Sequence, residues 1–301
     1  STIAAFALDI ARNNLPANYY QEYLKTLASV TPQTVQQMAQ KFVMPAQMHI
    51  VIVGNAKEIA PGLEKYGEVK YFDVYGNETA APATKAVDAS VTPQSILQKA
   101  ANATANAQAM AAIKDLQLSG EATIMNQKIA VTQKHTFPNT FSAVVSMGGT
   151  EIQKEMLKDG TYTQVAQGKT METDAKGKEE MNEKAAFFSD AYLLNQKGTE
   201  FKMLGIEKVE GKDAYGLQVK TATGRTYTNY YDVASGLKVK SVSTQETPMG
   251  ELSIQSYLYD YKPFNGVQIP TRIVVDFGQM KQELKFTDVK VNSGLKKEDI
   301  K

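Results

Sequence analysis

Few residues of this chain could do chemistry, and their spacing argues against most of it. There are two histidines, His49 and His135, 86 positions apart, and no cysteine among 301 residues. A metal centre needs several ligands at fixed spacing, and neither histidine has them. Thiol catalysis, disulfides and cysteine-held clusters are excluded. His49 opens an apolar strand and reads as structural; His135, beside Lys134 in an alternating strand, reads as a surface residue. Glu179, Glu180 and Glu183 could supply an acid–base pair. With Lys176, Lys178 and Lys184 interleaved, they read instead as a solvated helix face. Tyr19, Tyr20 and Tyr23 could touch a peptide, but packing of a helical pair explains them better. On the helix that carries the glutamates, Met181 and Phe188 share an apolar stripe. Such a stripe fits either a ligand-binding wall, since methionine adapts to varied apolar guests, or ordinary core under a sheet. No phosphate-loop, dinucleotide or nucleophile-elbow motif occurs. No enzyme chemistry is assigned.

The elements that must position these residues fall into two sets. The first is helical. Ile3 to Asn13, Tyr19 to Leu27 and the stretch after Thr31-Pro32 read as short amphipathic helices, the last with a threonine N-cap and proline at the first helical position. Met48 to Val53 reads as an apolar strand stopped by Gly54-Asn55, Lys57 to Tyr66 as a helix, and Val69 to Val74 as a short strand. Residues 79–94, rich in Ala, Thr and Pro, have linker composition. An alanine-rich helix follows over Ser95 to Ile113.

Beyond Leu116 the hydrophobic period changes from helical to alternating. LQLSGEATI, KIAVTQKHTF, TFSAVVSM and YTQVAQG read as strands, interrupted by one helix over Glu179 to Leu194. The pattern resumes to the C-terminus, with Gly148-Gly149 a turn and Asn265-Gly266 a type I′ hairpin signal. About ten antiparallel strands with two helices predict a strongly curved sheet wrapping its helices. The fold class is therefore α+β: a small helical and strand fragment, residues 1–78, then a curved antiparallel domain, residues 95–301.

An apolar content of 43% and a net charge of +1 fit a soluble globular protein and argue against an electrostatic nucleic-acid binder. No apolar run is long enough for a transmembrane helix. The chain opens Ser-Thr-Ile, which reads as a processed or excised piece. Cysteine-free composition is compatible with an exported bacterial protein.

Two resemblances cover different parts. The run LPANYYQEYLKTLASVT, the helix VQQMAQKFV, then Pro45 and HIVIVGN resemble the C-terminal end of a pitrilysin/insulinase-type zinc metallopeptidase domain. That resemblance implies a non-catalytic region of an exported peptidase, whose partner is the remainder of the peptidase or a zinc-bearing half. The family's inverted H-x-x-E-H motif is absent here, so zinc is expected only upstream or in a partner, and this chain alone is expected to be inactive. Residues 95–301, through GKDAYGLQVKTATGRTYTNYYDVASGLKVK and YKPFNGVQIPTRI, resemble the LolA-like lipoprotein-carrier superfamily. This implies a half-barrel closed by helices, a periplasmic setting in a Gram-negative bacterium, and an apolar cavity for an acyl or similar ligand. The residues it suggests for the lining are Phe187, Phe188, Tyr192 and Leu193 on the helix, with Met147, Met156 and Met203 from strands. The alternative function is thus a lipid- or lipoprotein-binding carrier module with no peptidase role.

Overall fold

The computed structural model describes residues 2–45, 48–54, 56–60, 63–73, 75–79, 85–124, 127–247, 250–278 and 280–300. The chain forms two compact units, Ser1–Leu63 and Glu64–Lys301.

In the first unit, α1 spans Thr2–Arg12, α2 Tyr19–Ser29, α3 Pro32–Phe42 and α4 Ala56–Ile59. The start of α3 follows its sequence: the Thr31 hydroxyl accepts the Thr34 N–H, and the Thr34 hydroxyl accepts the Thr31 N–H. Tyr20 ties α2 to α1, its ring 4.2 Å from that of Phe6 and its hydroxyl donating to Asp9 at 2.5 Å. Two expectations fail here. Residues 48–53 form no strand, and Val51 and Val53 are 85% and 97% exposed. An extended segment is held by its ladder, and none of the described residues pairs with this one. His49 is therefore an exposed loop residue, not a strand end. The predicted helix 57–66 appears as α4 and a separate 3₁₀ turn, Glu64–Tyr66, with Pro61-Gly62 of the sequence between them.

That 3₁₀ turn opens the second unit and is followed by a two-stranded ribbon, β1 (Tyr71–Phe72) against β2 (Glu78–Thr79). Val74, the end of the predicted strand, lies outside the described residues, as do positions 80–84 of the linker segment. The rest of that segment is anchored: Lys85 bridges Ile206, and Val91 packs into the core. Two helices follow, α5 (Pro93–Thr104) and α6 (Ala107–Ala112). Thr92-Pro93 repeats the start seen at Thr31-Pro32, with Thr92 and Ser95 exchanging side chain to backbone bonds. The single alanine-rich helix predicted here is thus broken. Asn106 accepts the Ala109 N–H and caps a new helix, while Ala105 extends to bridge Val267.

A mixed α+β layout with one large, open, curved antiparallel sheet accounts for the remainder. Its strands are β3 Asp115–Ile124, β4 Gln127–Thr136, β5 Thr140–Met147, β6 Thr150–Lys158, β7 Thr161–Ala166 and β8 Lys169–Met171. After α7 (Ala175–Ala186) and α8 (Ser189–Leu194) come β9 Glu200–Val209, β10 Lys212–Lys220, β11 Thr226–Asp232 and β12 Lys238–Thr247. The last three are β13 Gly250–Phe264, β14 Val267–Asp276 and β15 Lys281–Val291. The order is β8-β7-β6-β5-β4-β3-β15-β14-β13-β12-β11-β10-β9: two meanders joined where β3 meets β15. At that seam a Cβ on Gly120 would stand 2.2 Å from the Lys285 carbonyl, so only glycine lets the strands approach. Asn265 and Gly266, at φ 48° and 82°, make the two-residue I′ turn the sequence announced.

Because β8 and β9 are opposite edges, α7 and α8 must carry the chain across the whole sheet. Their packing shows it. Ala185 of α7 is buried with Phe141 and Leu157, whereas Leu193 of α8 is buried with Ile96, Leu97, Leu217, Val219 and Tyr231.

Candidate functional site

The crossing helix is not continuous. The predicted helix 179–194 starts four residues earlier, where Asp174 caps it by accepting the Gly177 N–H at 2.8 Å, and breaks at Phe187-Phe188. Phe187 takes φ 58°, ψ −51° and Phe188 φ −77°, ψ 67°. Each is the centre of a γ-turn: Phe188 N–H donates to Ala186 O at 2.6 Å, and Ser189 N–H to Phe187 O at 2.9 Å. A positive φ on phenylalanine is a strained backbone, costing about 1–3 kcal/mol and persisting only where its surroundings hold it. The surroundings are aromatic. Phe187 meets His135 at 5.2 Å and Phe188 at 5.3 Å, and Phe137 lies 5.9 Å from Phe188.

Under this elbow lies a cavity of about 140 Å³. Its roof is Phe187, Phe188 and Ala191; α5 contributes Ala101 and Thr104; the sheet contributes Leu258 and Tyr261 of β13 and Gln268 and Pro270 of β14. The sheet is irregular there: Asp260 has φ 54°, and Pro270, opposite Tyr261, offers no N–H to the ladder. The lining is mostly apolar.

One end is not. Asp190, Ser189 and Lys238 reach the same cavity. Lys238 Nζ stands 3.0 Å from Asp190 Oδ1 and donates to Ser189 Oγ at 2.8 Å; the two charged side chains are 14% and 9% exposed. The Tyr231 hydroxyl donates to Asp190 Oδ1 at 2.7 Å, and Asn229 donates to that hydroxyl at 3.2 Å. Burial, then the neighbouring Asp190 charge, pushes the Tyr231 phenol far above its ordinary range, so it stays a donor. Tyr261 is raised for the same reasons, and its hydroxyl fixes the Lys238 backbone carbonyl at 2.8 Å. Serine beside lysine invites a nucleophile-and-base reading. Here the amine is ion-paired to Asp190, which makes it a cationic donor and not a base.

Of the residues proposed from sequence for the lining, Phe187 and Phe188 stand at this cavity. Leu193 is fully buried in the α5–α8 core, and Met203 is half-buried against the same cluster. Tyr192 is half-buried outside it, its phenol raised first by burial and then by Glu183 and Glu179. Met147 is 39% exposed at the end of β5, and Met156 is half-buried on β6. Sequence reasoning missed Asp190 and Lys238. The available signal was an acidic residue inside the apolar run FFSDAYLL.

Two other readings are corrected. The glutamates of α7 do not form a solvated face. Glu183 pairs with Arg225 and accepts from Tyr227 at 3.0 Å, Glu179 accepts from Thr223 at 2.5 Å, and Lys184 bridges Glu180 and Glu155. They clamp α7 to the sheet. His135 is not on the surface: it is 2% exposed, 4.9 Å from Phe141. Alternation did place it on one face of β4, but that face is the covered one. Among the described residues, no group of three or more His, Cys, Asp or Glu is placed to hold a metal ion.

No protein-family model matches this chain, and neither does any curated protein sequence. The peptidase resemblance of Leu15 to Asn55 is without support from these comparisons. Among solved structures, the chain is similar to a LolA superfamily protein from Nitrosomonas europaea, at 14% identity and TM-score 0.47 over 70% of this chain and 98% of that one. A DUF1329 family protein from Desulfovibrio piger shares 9% identity at TM-score 0.46, covering 69% and 96%. The Mycobacterium tuberculosis lipoprotein LppX shares 10% at TM-score 0.28, covering 68% and 99%. None of these scores is high enough to carry function from one chain to another.

Proposed function

We propose that this chain is a binding module for an apolar, chain-like ligand such as an acyl group, working as an exported carrier and not as a catalyst. The observation that carries the proposal is the apolar cavity under a strained aromatic elbow, between the helices and the sheet. Its volume of about 140 Å³ is close to that of an engineered cavity that takes up benzene. The cavity therefore receives one end of a ligand as it stands, and a longer chain enters by displacing the elbow. Holding Phe187 at positive φ makes that displacement less costly than moving a relaxed helix. The reading requires no metal or cofactor. No helix among the described residues is long and apolar enough to cross a membrane.

The test is binding of the apolar fluorophore N-phenyl-1-naphthylamine to the full chain, with Thr104→Trp as the blocked form. Thr104 is half-buried at the cavity wall, so an indole there fills the space without replacing a core residue. Saturable binding that weakens at least about tenfold in Thr104→Trp, roughly 1.4 kcal/mol, is expected. Equal binding by both proteins, or none by either, overturns the proposal.

A further inference from the structure

The apolar walls would hold a hydrocarbon without help, so the ion pair at one end needs its own account. Burying two charges costs more than burying a leucine pair unless every lone pair and proton is used. In this pair one oxygen is crowded and the other is not. Both the Lys238 ammonium and the Tyr231 hydroxyl fall on Asp190 Oδ1. Among the described residues, Oδ2 receives no hydrogen bond, and the lysine, ion-paired to Oδ1 at 3.0 Å, donates to Ser189 Oγ and keeps N–H capacity beyond that bond. The cavity end thus presents one acceptor and one donor side by side, with the charges already cancelled.

We infer that this end of the cavity selects ligands with an uncharged head that both donates and accepts a hydrogen bond, a hydroxyl or an amide, and disfavours free carboxylates, phosphates and amines. This rests on the apolar-ligand reading of the same cavity. A hydroxyl head donates to Asp190 Oδ2 and accepts from Lys238 Nζ, leaving no group unsatisfied. An anionic head would add a second negative charge beside Asp190, and a cationic head a second positive charge beside Lys238, in a place largely shielded from water.

Displacement of the bound fluorophore by decan-1-ol, decanoate and decylamine near neutral pH tests this. Comparing ratios within each protein removes the intrinsic preference of any apolar pocket for the alcohol. In Asp190→Asn the lysine charge is unbalanced, so decanoate should gain at least about tenfold relative to decanol. In Lys238→Met the aspartate is unbalanced, so decylamine should gain by a similar factor. The double variant, neutral again, should return both ratios to the wild-type range. It also keeps the test decisive if one single variant fails to fold. Ratios that stay constant across the variants overturn the head-group assignment while leaving the apolar cavity standing. If wild type binds no fluorophore at all, it is the cavity reading that has failed.

Discussion

His135 is the residue whose environment departs most from its chemistry. Neither ring nitrogen meets hydrogen-bond geometry; the nearby Ala185 carbonyl favours the charged form only weakly, and burial dominates. The result is a pKa pushed from 6.5 down to about 4. The sign follows directly. Between those values the unfolded chain takes up a proton that the folded chain refuses, so stability present above about pH 6.5 is lost as pH falls towards 4. The full span corresponds to a loss on the order of 3 kcal/mol. Replacing the imidazole with a hydrocarbon removes both the unmet polar atoms and the titration. His135→Leu should therefore lose less stability than wild type between neutral and about pH 4.5, by on the order of 2 kcal/mol in urea unfolding. Carboxylates with lowered pKa, such as Asp213 beside Lys208 and Lys85, contribute equally to both proteins and cancel. Parallel pH curves for the two would show that His135 is hydrated or partnered after all.

At the scale of elements, the α7–α8 elbow decides the shape of the cavity. Alanine exceeds glycine in helices by about 1 kcal/mol, and a continuous helix through residue 187 would follow that order. The observed φ of 58° reverses it. Both Phe187→Ala and Phe187→Gly lose the ring and its contacts with His135 and Phe188, a cost of about 3–5 kcal/mol. Glycine then recovers part of the backbone strain, so Phe187→Gly should be the more stable of the two by about 1 kcal/mol. Urea midpoints decide it: an alanine variant at or above the glycine variant would mean that the helix runs straight through the elbow in solution.

Taken whole, the chain combines a well-packed sheet unit with a helical unit that buries little. In the first unit Ile3, Leu8, Leu24, Phe42, Ile50 and Val53 are all exposed by more than 60%. Apolar surface of this extent on one small unit favours association. Sedimentation velocity of the full chain should show a weight-average mass that rises with concentration and is not lowered by added salt. A concentration-independent monomer would show that these faces do not drive association, and association that salt dissolves would assign it to charged groups instead.

The sequence alone determined what is set by neighbours along the backbone. Alternation marked the strands from Leu116 onward, Thr31-Pro32 placed the start of α3, and Asn265-Gly266 fixed its hairpin, because caps, turns and pleat period are local. Composition excluded thiol chemistry for the same reason: it needs no contacts to count residues. Tertiary structure decided everything that depends on which surface is covered. Alternation put His135 on one face of β4 but could not say that the Phe187 ring, 52 positions on at the end of α7, would cover it. The α7 glutamates looked solvated until Arg225 and Thr223 arrived from beyond the next hairpin. The cavity's polar end joins Asp190 to Lys238, 48 positions on, because β12 lies under α8 only in the folded sheet. Even the break at Phe187 is tertiary in origin. Nothing in the local sequence forbids a helix there, and packing on two separate parts of one curved sheet forces the chain to turn.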